Sequence, residues 1–483
     1  MSGEMIRTMF TVALYVYWAA VIVIVVSQNR GPVQSLAWII TLVFLPGIGI
    51  PIYILAGRDW SAITPKRKWY RRLLEIQVPY MRAYYSRYAD FTNAVKDDNV
   101  GLPSHRVMQA IETDNLGAVP LPATGVTVYT SGAEYFPALI EDISRAQRYI
   151  HMQYFIWGRD ELTKQVCDAL AERLKAGVEV RILNDFLGNI GNKKDQLRAL
   201  EALGAQHASD VNQLSKLNYR NHRKITVIDG EIGHTSGMNI SQEYVDGGDR
   251  FPSWRDTALR FTGPAAVELH KLFAFRWYEV LQESLFAPAY FPAHAKAPSA
   301  KAIPVQVVAQ GVSDYWGSAT RAHQIAISGA AERVWLQSPY WVPTEALLES
   351  VVNAALAGVD VRLMMTGWPD KILAFRAAHT FWEPLIEAGG HVHLYTAGFF
   401  HAKSIVVDGK MSAIGTMNLD VRSLQLNQEL MVWMYDERLA RQQEDIFRAD
   451  LVHCEEVTLE QIESWSPLIR FGDSVARLAS SLM

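Results

Sequence analysis

The chain of 483 residues carries a formal charge of −4 and two cysteines, Cys167 and Cys454. Its length allows two or three domains with large cores. The charge supplies no global basic field for nucleic acid, and two cysteines without ligand spacing exclude a disulfide framework and suit a reducing, cytoplasmic compartment.

The first elements are apolar. Met9–Val26 runs 18 residues without a charge and Leu36–Ala56 runs 21. At about 1.5 Å of rise per residue, both can cross roughly 30 Å of hydrocarbon as helices. The first lacks a basic leader and a small-residue cleavage site, and a second span follows closely. A retained two-helix transmembrane hairpin over 1–60 is therefore predicted, not a signal peptide. Pro46, Gly47, Gly49 and Pro51 predict a kinked or re-entrant second span. Arg58, Lys66, Arg67, Lys68, Arg71 and Arg72 crowd its far side, whereas the connecting loop holds Arg30. By the positive-inside rule the N-terminus and the large C-terminal part face the cytoplasm, and the 66–72 cluster attracts anionic headgroups. Fourteen Trp and 20 Tyr fit apolar clefts and a membrane-facing surface.

Residues 61–120 read as a polar-aromatic helical segment along the membrane surface. From Val126 onward helix and strand patterns alternate: helix 135–147, strand 149–156, helix 162–176, strand 178–183. The order returns from Ile303, with a helix at 344–357 and a strand at 359–365, and VEVRILND (178–185) resembles VDVRLMMT (359–366). Alternation and duplication predict an α/β fold of two pseudo-symmetric halves, 121–290 and 303–465, with central mixed β-sheets flanked by helices. A Pro/Ala-rich stretch supplies the linker, 291–302. Residues 466–483 form an amphipathic helix for the membrane or the core.

One chemical pattern occurs twice, 179 positions apart: His222-x-Lys224 with Asp229 in NHRKITVIDG, and His401-x-Lys403 with Asp408 in FHAKSIVVDG. Each is trailed by small residues and Met-Asn: Ser236, Gly237 and Asn239 in the first copy, Gly415, Thr416 and Asn418 in the second. Both β-branched runs close at Asp-Gly and read as buried strands ending in turns. Alternation sends His222 and Lys224 to one face, and likewise His401 and Lys403. If the halves pack about a dyad, two imidazoles and two ammonium groups meet in one cleft. The lysines neutralise a phosphodiester, one imidazole attacks phosphorus and the other protonates the leaving oxygen. Neither task needs a metal. Asn239, Asn418, Thr416 and Ser236 add neutral donors for the phosphate. Asp229 and Asp408, at the opposite parity, hold the turns and keep the cleft in shape. His391 and His393 share a strand face without a third ligand, so no metal site is assigned.

The paired motif resembles the phospholipase D superfamily. With GTMNLDVRSLQLNQEL (415–430), WRDTALRFTGPA (254–265) and the two apolar segments, the chain is similar to bacterial cardiolipin synthases from about residue 8 to its last turn. The resemblance implies two phospholipase D-like halves, a phosphohistidine intermediate with His222 as nucleophile and His401 as acid, and no cofactor. A catalytic imidazole needs a carboxylate behind it. Asp256, 34 residues after His222, is expected to orient His222, with Glu243 as its rival; Glu429, 28 residues after His401, is expected to orient His401. One departure from the family pattern is that Ser236 precedes Gly237.

The implied reaction takes two phosphatidylglycerols to cardiolipin and glycerol in the bacterial cytoplasmic (inner) membrane. An entrance lined by residues such as Tyr340 and Trp341 would favour transfer over hydrolysis, but both aromatics read first as core residues. If water reaches the intermediate, the same residues make a phospholipase D-type hydrolase. A nuclease of the superfamily is disfavoured by the spans and the charge. A membrane scaffold that keeps the motifs for structure is the non-catalytic alternative.

Overall fold

The computed structural model of the chain describes residues 3–28, 31–57, 68–113, 118–190, 195–210, 219–292, 301–311, 314 and 317–478. Arg58, Lys66 and Arg67 of the basic cluster, most of the linker and residues 479–483 lie outside the described residues. The chain divides into two compact units, Met1–Thr64 with Gln213–Asn218, and Pro65–Asn212 with Tyr219–Met483.

In the first unit, α1 spans Gly3–Val26, α2 Pro32–Phe44 and α3 Pro46–Ile52. Among the described residues α1 is long and apolar enough to cross a membrane. The second apolar segment is not one continuous helix. Pro46 lacks an amide donor and disfavours helical geometry at Leu45, where α2 stops. With 13 residues, α2 reaches only about 20 Å at 1.5 Å per residue, short of a hydrocarbon core. Tyr17 donates its hydroxyl to the Leu42 carbonyl at 2.8 Å, and Val21, Val25, Leu42 and Tyr53 pack together. Phe10, Val16, Val23, Leu36 and Phe44 remain exposed on the outer faces.

The second unit begins with helices Lys68–Tyr85, Ala89–Asp98 and Pro103–Glu112. Its earlier strands are β1 (Leu121–Tyr129), β2 (Tyr149–Tyr154), β3 (Glu179–Asp185), β4 (Gln206–Asp210), β5 (Ile225–Ile228), β6 (Ile232–Ser236), β7 (Trp254–Arg255) and β8 (Ala258–Thr262). The later ones are β9 (Ile303–Gln310), β10 (Arg333–Gln337), β11 (Trp341–Val342), β12 (Asp360–Thr366), β13 (His391–Tyr395), β14 (Phe399–Phe400), β15 (Ser404–Val407), β16 (Met411–Gly415), β17 (Leu419–Asp420), β18 (Glu429–Met434) and β19 (Cys454–Val457).

Among the described residues, fifteen of these strands form one mixed sheet, where two central sheets were expected. The join is an antiparallel pairing of β1 with β9, Leu121 opposite Val305 and Ala123 opposite Ile303. Outward from it, one side runs β1-β8-β6-β5-β2-β3-β4 and the other β9-β18-β16-β15-β10-β12-β13-β19. Equivalent strands thus follow one order on both sides, with β19 added at one edge. β2-β3-β4 and β10-β12-β13 are parallel, and their helical crossovers cover the faces, as parallel strands require.

The motif strands β5 and β15 are central and every residue in them is buried. Helix Ala266–Leu281, buried along most of its length, backs β5 and part of the join. Helix Pro467–Leu478 packs on helix Ile372–Glu387 through Asp473, which accepts from Arg376 at 2.8 Å and meets His379 at 3.1 Å. Its Leu468, Phe471 and Leu478 stay exposed.

Candidate active site

Each motif histidine lies in the extended lead-in just before its strand, not inside it: His222 and Lys224 precede β5, and His401 and Lys403 precede β15. The lead-ins pair with the opposite half. His222 N donates to Gln428 O at 2.9 Å, and His401 N donates to Arg255 O at 2.7 Å. β14, immediately before His401, pairs in parallel with β7, and Asn221 bridges Gln428.

These backbone bonds set each imidazole beside the carboxylate that follows its partner residue. His222 Nδ1 contacts both oxygens of Glu429 at 2.9 and 3.0 Å, and His401 Nδ1 contacts Asp256 Oδ2 at 2.7 Å. The expected pairing within each repeat is therefore corrected: the pairs cross between halves. Glu243 opens the short helix Glu243–Asp246; the carboxylate on His222 is Glu429.

Both carboxylates are fully buried. Burial raises their pKa values, but Lys403 and His401 beside Asp256, and His222 and Lys224 beside Glu429, outweigh it and hold both below the usual range. Ionised carboxylates accept, so each Nδ1 carries the proton and each Nε2 keeps its lone pair for substrate. Glu429 also accepts from Thr416 Oγ1 at 2.6 Å, Ser423 Oγ at 3.0 Å and Asn427 Nδ2 at 3.3 Å. Asp256 accepts from Thr257 N at 2.7 Å. Gly237 stands against it: a Cβ there would lie 2.1 Å from Asp256 Oδ1. The Ser236-Gly237 order therefore has a packing reason, since the residue facing this carboxylate must lack a side chain.

The lysines are buried beside the rings. Lys224 Nζ donates to His222 O at 2.8 Å, Lys403 Nζ donates to His401 O, and an ammonium group retains two further donors. Burial lowers Lys224 to about 7 and Lys403 to about 8, against the pull of the nearby carboxylates. Burial and the lysines lower His222 to about 4 and His401 to about 3. Lys403 acts on His222 and Lys224 acts on His401, so the motifs share one electrostatic site.

Asp229 and Asp408 stand at the far ends of their strands. Asp229 is five residues of extended chain from Lys224, roughly 16 Å at 3.3 Å per residue. Its carboxylate accepts from the amides of Gln147, Arg148 and Tyr149 at 2.7–2.9 Å. Asp408 accepts from Ala331, Glu332 and Arg333 at 2.8–2.9 Å. Both have left-handed backbone, φ 56° and 52°. Each clasps its hairpin turn to the start of the neighbouring strand, β2 or β10, so neither belongs among the catalytic groups.

Three of the expected phosphate donors are engaged elsewhere. Thr416 holds Glu429, and Ser236 Oγ closes its own turn on Met238 N and O at 3.2 and 3.1 Å. Asn239 accepts from Ile156 N at 3.0 Å and donates to Tyr244. Asn418 differs: it lines a cavity of about 360 Å³ that opens on His222 and also borders Phe155, Tyr340 and Ala374. Trp341 is fully buried in the core and does not line the entrance; Tyr340 does, its hydroxyl donating to Asp370 at 2.7 Å. His391 binds Glu456 at 2.6 Å through Nδ1.

Sequence reasoning missed Arg223 and Arg255. Buried Arg223 donates to Glu429 O at 2.9 Å and Gln310 O at 3.0 Å. Arg255 forms a two-point pair with Asp450 at 2.9 and 2.7 Å, tying β7 to the other half. The signal available was an arginine immediately beside a motif residue, Arg223 between His222 and Lys224 and Arg255 before Asp256.

Two H-x-K segments on one sheet, each imidazole backed by a buried carboxylate, define a phospholipase D-like phosphotransfer site. The family described as cardiolipin synthase, PLD-like domain matches residues 139–249 and 324–451, and the phospholipase D-nuclease N-terminal family matches 13–58. A cardiolipin synthase of Clostridium perfringens (strain 13 / Type A) is 33% identical over 467 residues, covering 94% of this chain and 95% of that one. The major cardiolipin synthase ClsA of Bacillus subtilis (strain 168) is 32% identical over 477 residues, 96% of each. The crystal structure of phosphatidylserine synthase from Haemophilus influenzae Rd KW20 shares the fold, with a TM-score of 0.58, 15% identity and coverage of 78% and 96%. The chain belongs to the cardiolipin synthases of the phospholipase D superfamily.

Proposed function

We propose that the chain joins two phosphatidylglycerols into cardiolipin and glycerol at the bacterial cytoplasmic membrane, with its catalytic part on the cytoplasmic side. The observation that carries this reading is the crossed pairing of His222 with Glu429 and His401 with Asp256. It requires both halves for either imidazole and suits one shared phosphate, the halves being related by a pseudo-dyad through the β1–β9 join.

His222 Nε2 attacks phosphorus of the first lipid while His401, brought to its protonated form by the anionic phosphate seated beside it, gives its proton to the departing glycerol oxygen. The N–P bond formed replaces the P–O bond broken. His401, now neutral, takes the proton of a terminal hydroxyl on the second phosphatidylglycerol, whose oxygen displaces His222. Lys224 and Lys403 neutralise the non-bridging oxygens throughout, in a site where burial strengthens that attraction. Asn418, beside His222, adds a neutral contact. A phosphodiester is exchanged for a phosphodiester, so no nucleotide enters. At the membrane end, α1 crosses and the broken α2–α3 segment forms the second arm of the hairpin, presenting the basic residues after it to anionic lipids.

Purified protein given phosphatidylglycerol in mixed micelles should release glycerol and cardiolipin in equal amounts. Phosphatidic acid as the main product would overturn the synthase reading in favour of a hydrolase.

A further inference from the structure

Joining two phosphatidylglycerols brings two anionic phosphates to one site, and the paired lysines account for one. Three further cationic side chains border the cavity at His222: Arg220, two residues before it; Lys371, at the start of helix Ile372–Glu387; and Arg422, on the short helix Val421–Gln425. Burial and then the neighbouring Arg220 lower the Arg422 pKa, so two guanidinium groups repel across this wall. Among the described residues the one carboxylate bordering the same cavity is Asp420, which caps its helix by accepting from Ser423 N at 2.8 Å; burial raises its pKa against the pull of Lys371. Like charges gathered in a cavity are relieved by an anion.

Two amide oxygens point to the same ligand. Asn418 and Asn427, 5% and 8% exposed, line the cavity, and their Oδ1 atoms have no hydrogen-bond partner among the described residues. An unmatched acceptor calls for a donor such as a glycerol hydroxyl. The arrangement is one-sided. The position equivalent to Arg422 in the first half is Glu243, and that equivalent to Arg220 in the second is Phe399.

We infer that Arg220, Lys371 and Arg422 seat the phosphate of the acceptor phosphatidylglycerol, with Asn418 and Asn427 receiving hydroxyls of its glycerol. This deepens the proposed phosphatidyl transfer and rests on it. The second half then carries both the acid–base His401 and most of the acceptor subsite.

The test compares two reactions of the full-length protein in mixed micelles: cardiolipin formation, whose acceptor carries a phosphate, and exchange of labelled glycerol into phosphatidylglycerol, whose acceptor does not. Arg220→Ala, Lys371→Ala and Arg422→Ala should each lower the ratio of cardiolipin formation to exchange about tenfold, as expected for one charge-assisted contact. Arg422→Glu should lower it further and Arg422→Lys should restore part of it. Arg220 and Lys371 are exposed, so their variants serve if the Arg422 variants fold poorly. Parallel loss of both reactions, or an unaltered ratio, overturns the subsite. Absence of both reactions in the unmodified protein defeats the phosphatidyl-transfer reading itself.

Discussion

His222 of the first half donates its Nδ1–H to Glu429 of the second, 207 residues away in sequence and 2.9 Å away in space. Crossing makes each imidazole depend on both halves, so neither half holds a finished catalytic residue by itself. It also gives the variants of the two carboxylates distinguishable phenotypes.

Replacing Glu429 with Gln or Asp256 with Asn removes the ionised acceptor that fixes the ring tautomer. Each should cost about 10³- to 10⁴-fold in kcat. A phosphatidyl substrate with a nitrophenol leaving group needs no acid in the first step, so the pre-steady-state burst of nitrophenol should be rescued in Asp256→Asn, which disables His401, but not in Glu429→Gln, which disables the attacking His222. Pairing within each repeat would give the opposite pattern in the burst.

Asp229→Ala and Asp408→Ala each strand three backbone amides at the start of the neighbouring strand and put alanine at a left-handed position. A loss of about 2–4 kcal/mol in stability is expected for each, with kcat per folded molecule reduced less than about fivefold because the carboxylates lie far from the phosphate. Thermal unfolding in detergent beside active-site titration decides this. A thousandfold fall in kcat at unaltered stability would make these aspartates catalytic after all.

Gly237→Ala places a methyl group against the Asp256 carboxylate, 2.1 Å from Oδ1. The carboxylate must move off His401, and activity should fall about 10²-fold or more. Ser236→Ala, which loses only a turn bond to Met238, should stay within about threefold of the parent. Equal effects of the two substitutions on kcat would contradict the packing assigned to this pair.

The phosphate-binding form of each lysine is the ammonium. Because burial lowers Lys224 to about 7 and Lys403 to about 8, that form is lost as pH rises through this range. Affinity for the lipid phosphate should weaken, by up to about tenfold per pH unit for each lysine. Below this range the lysines are charged, and His222, at about 4, remains neutral for attack. The kcat/KM profile in micelles should therefore fall on its alkaline side. Lys224→Arg, which keeps its charge, should move that limb upward, and a limb indifferent to the substitution would sink this account.

Much of the architecture was legible along the chain. The helix expected at 162–176 is Glu161–Lys175, and the strand expected at 359–365 is Asp360–Thr366, because apolar period and turn residues act locally. In the second apolar segment the break expected from its prolines falls at Pro46, where α2 stops and α3 begins. By motif position Thr416, Ser236 and Asn239 suit phosphate donation. Their hydroxyls and amides instead satisfy a buried carboxylate, a turn and a backbone amide, a choice set by neighbours remote in sequence.

The sequence by itself determined that two matched imidazole–lysine segments exist, each ahead of a buried strand, since local alternation and the repeated spacing are covalent facts. Only the tertiary structure decided which carboxylate serves which imidazole. Pairing β1 with β9 fuses the halves into one sheet, and the lead-ins to His222 and His401 then find their backbone partners across that join at Gln428 and Arg255. A long-range hydrogen bond of this kind leaves no local periodicity, because its geometry arises only when both halves are folded together.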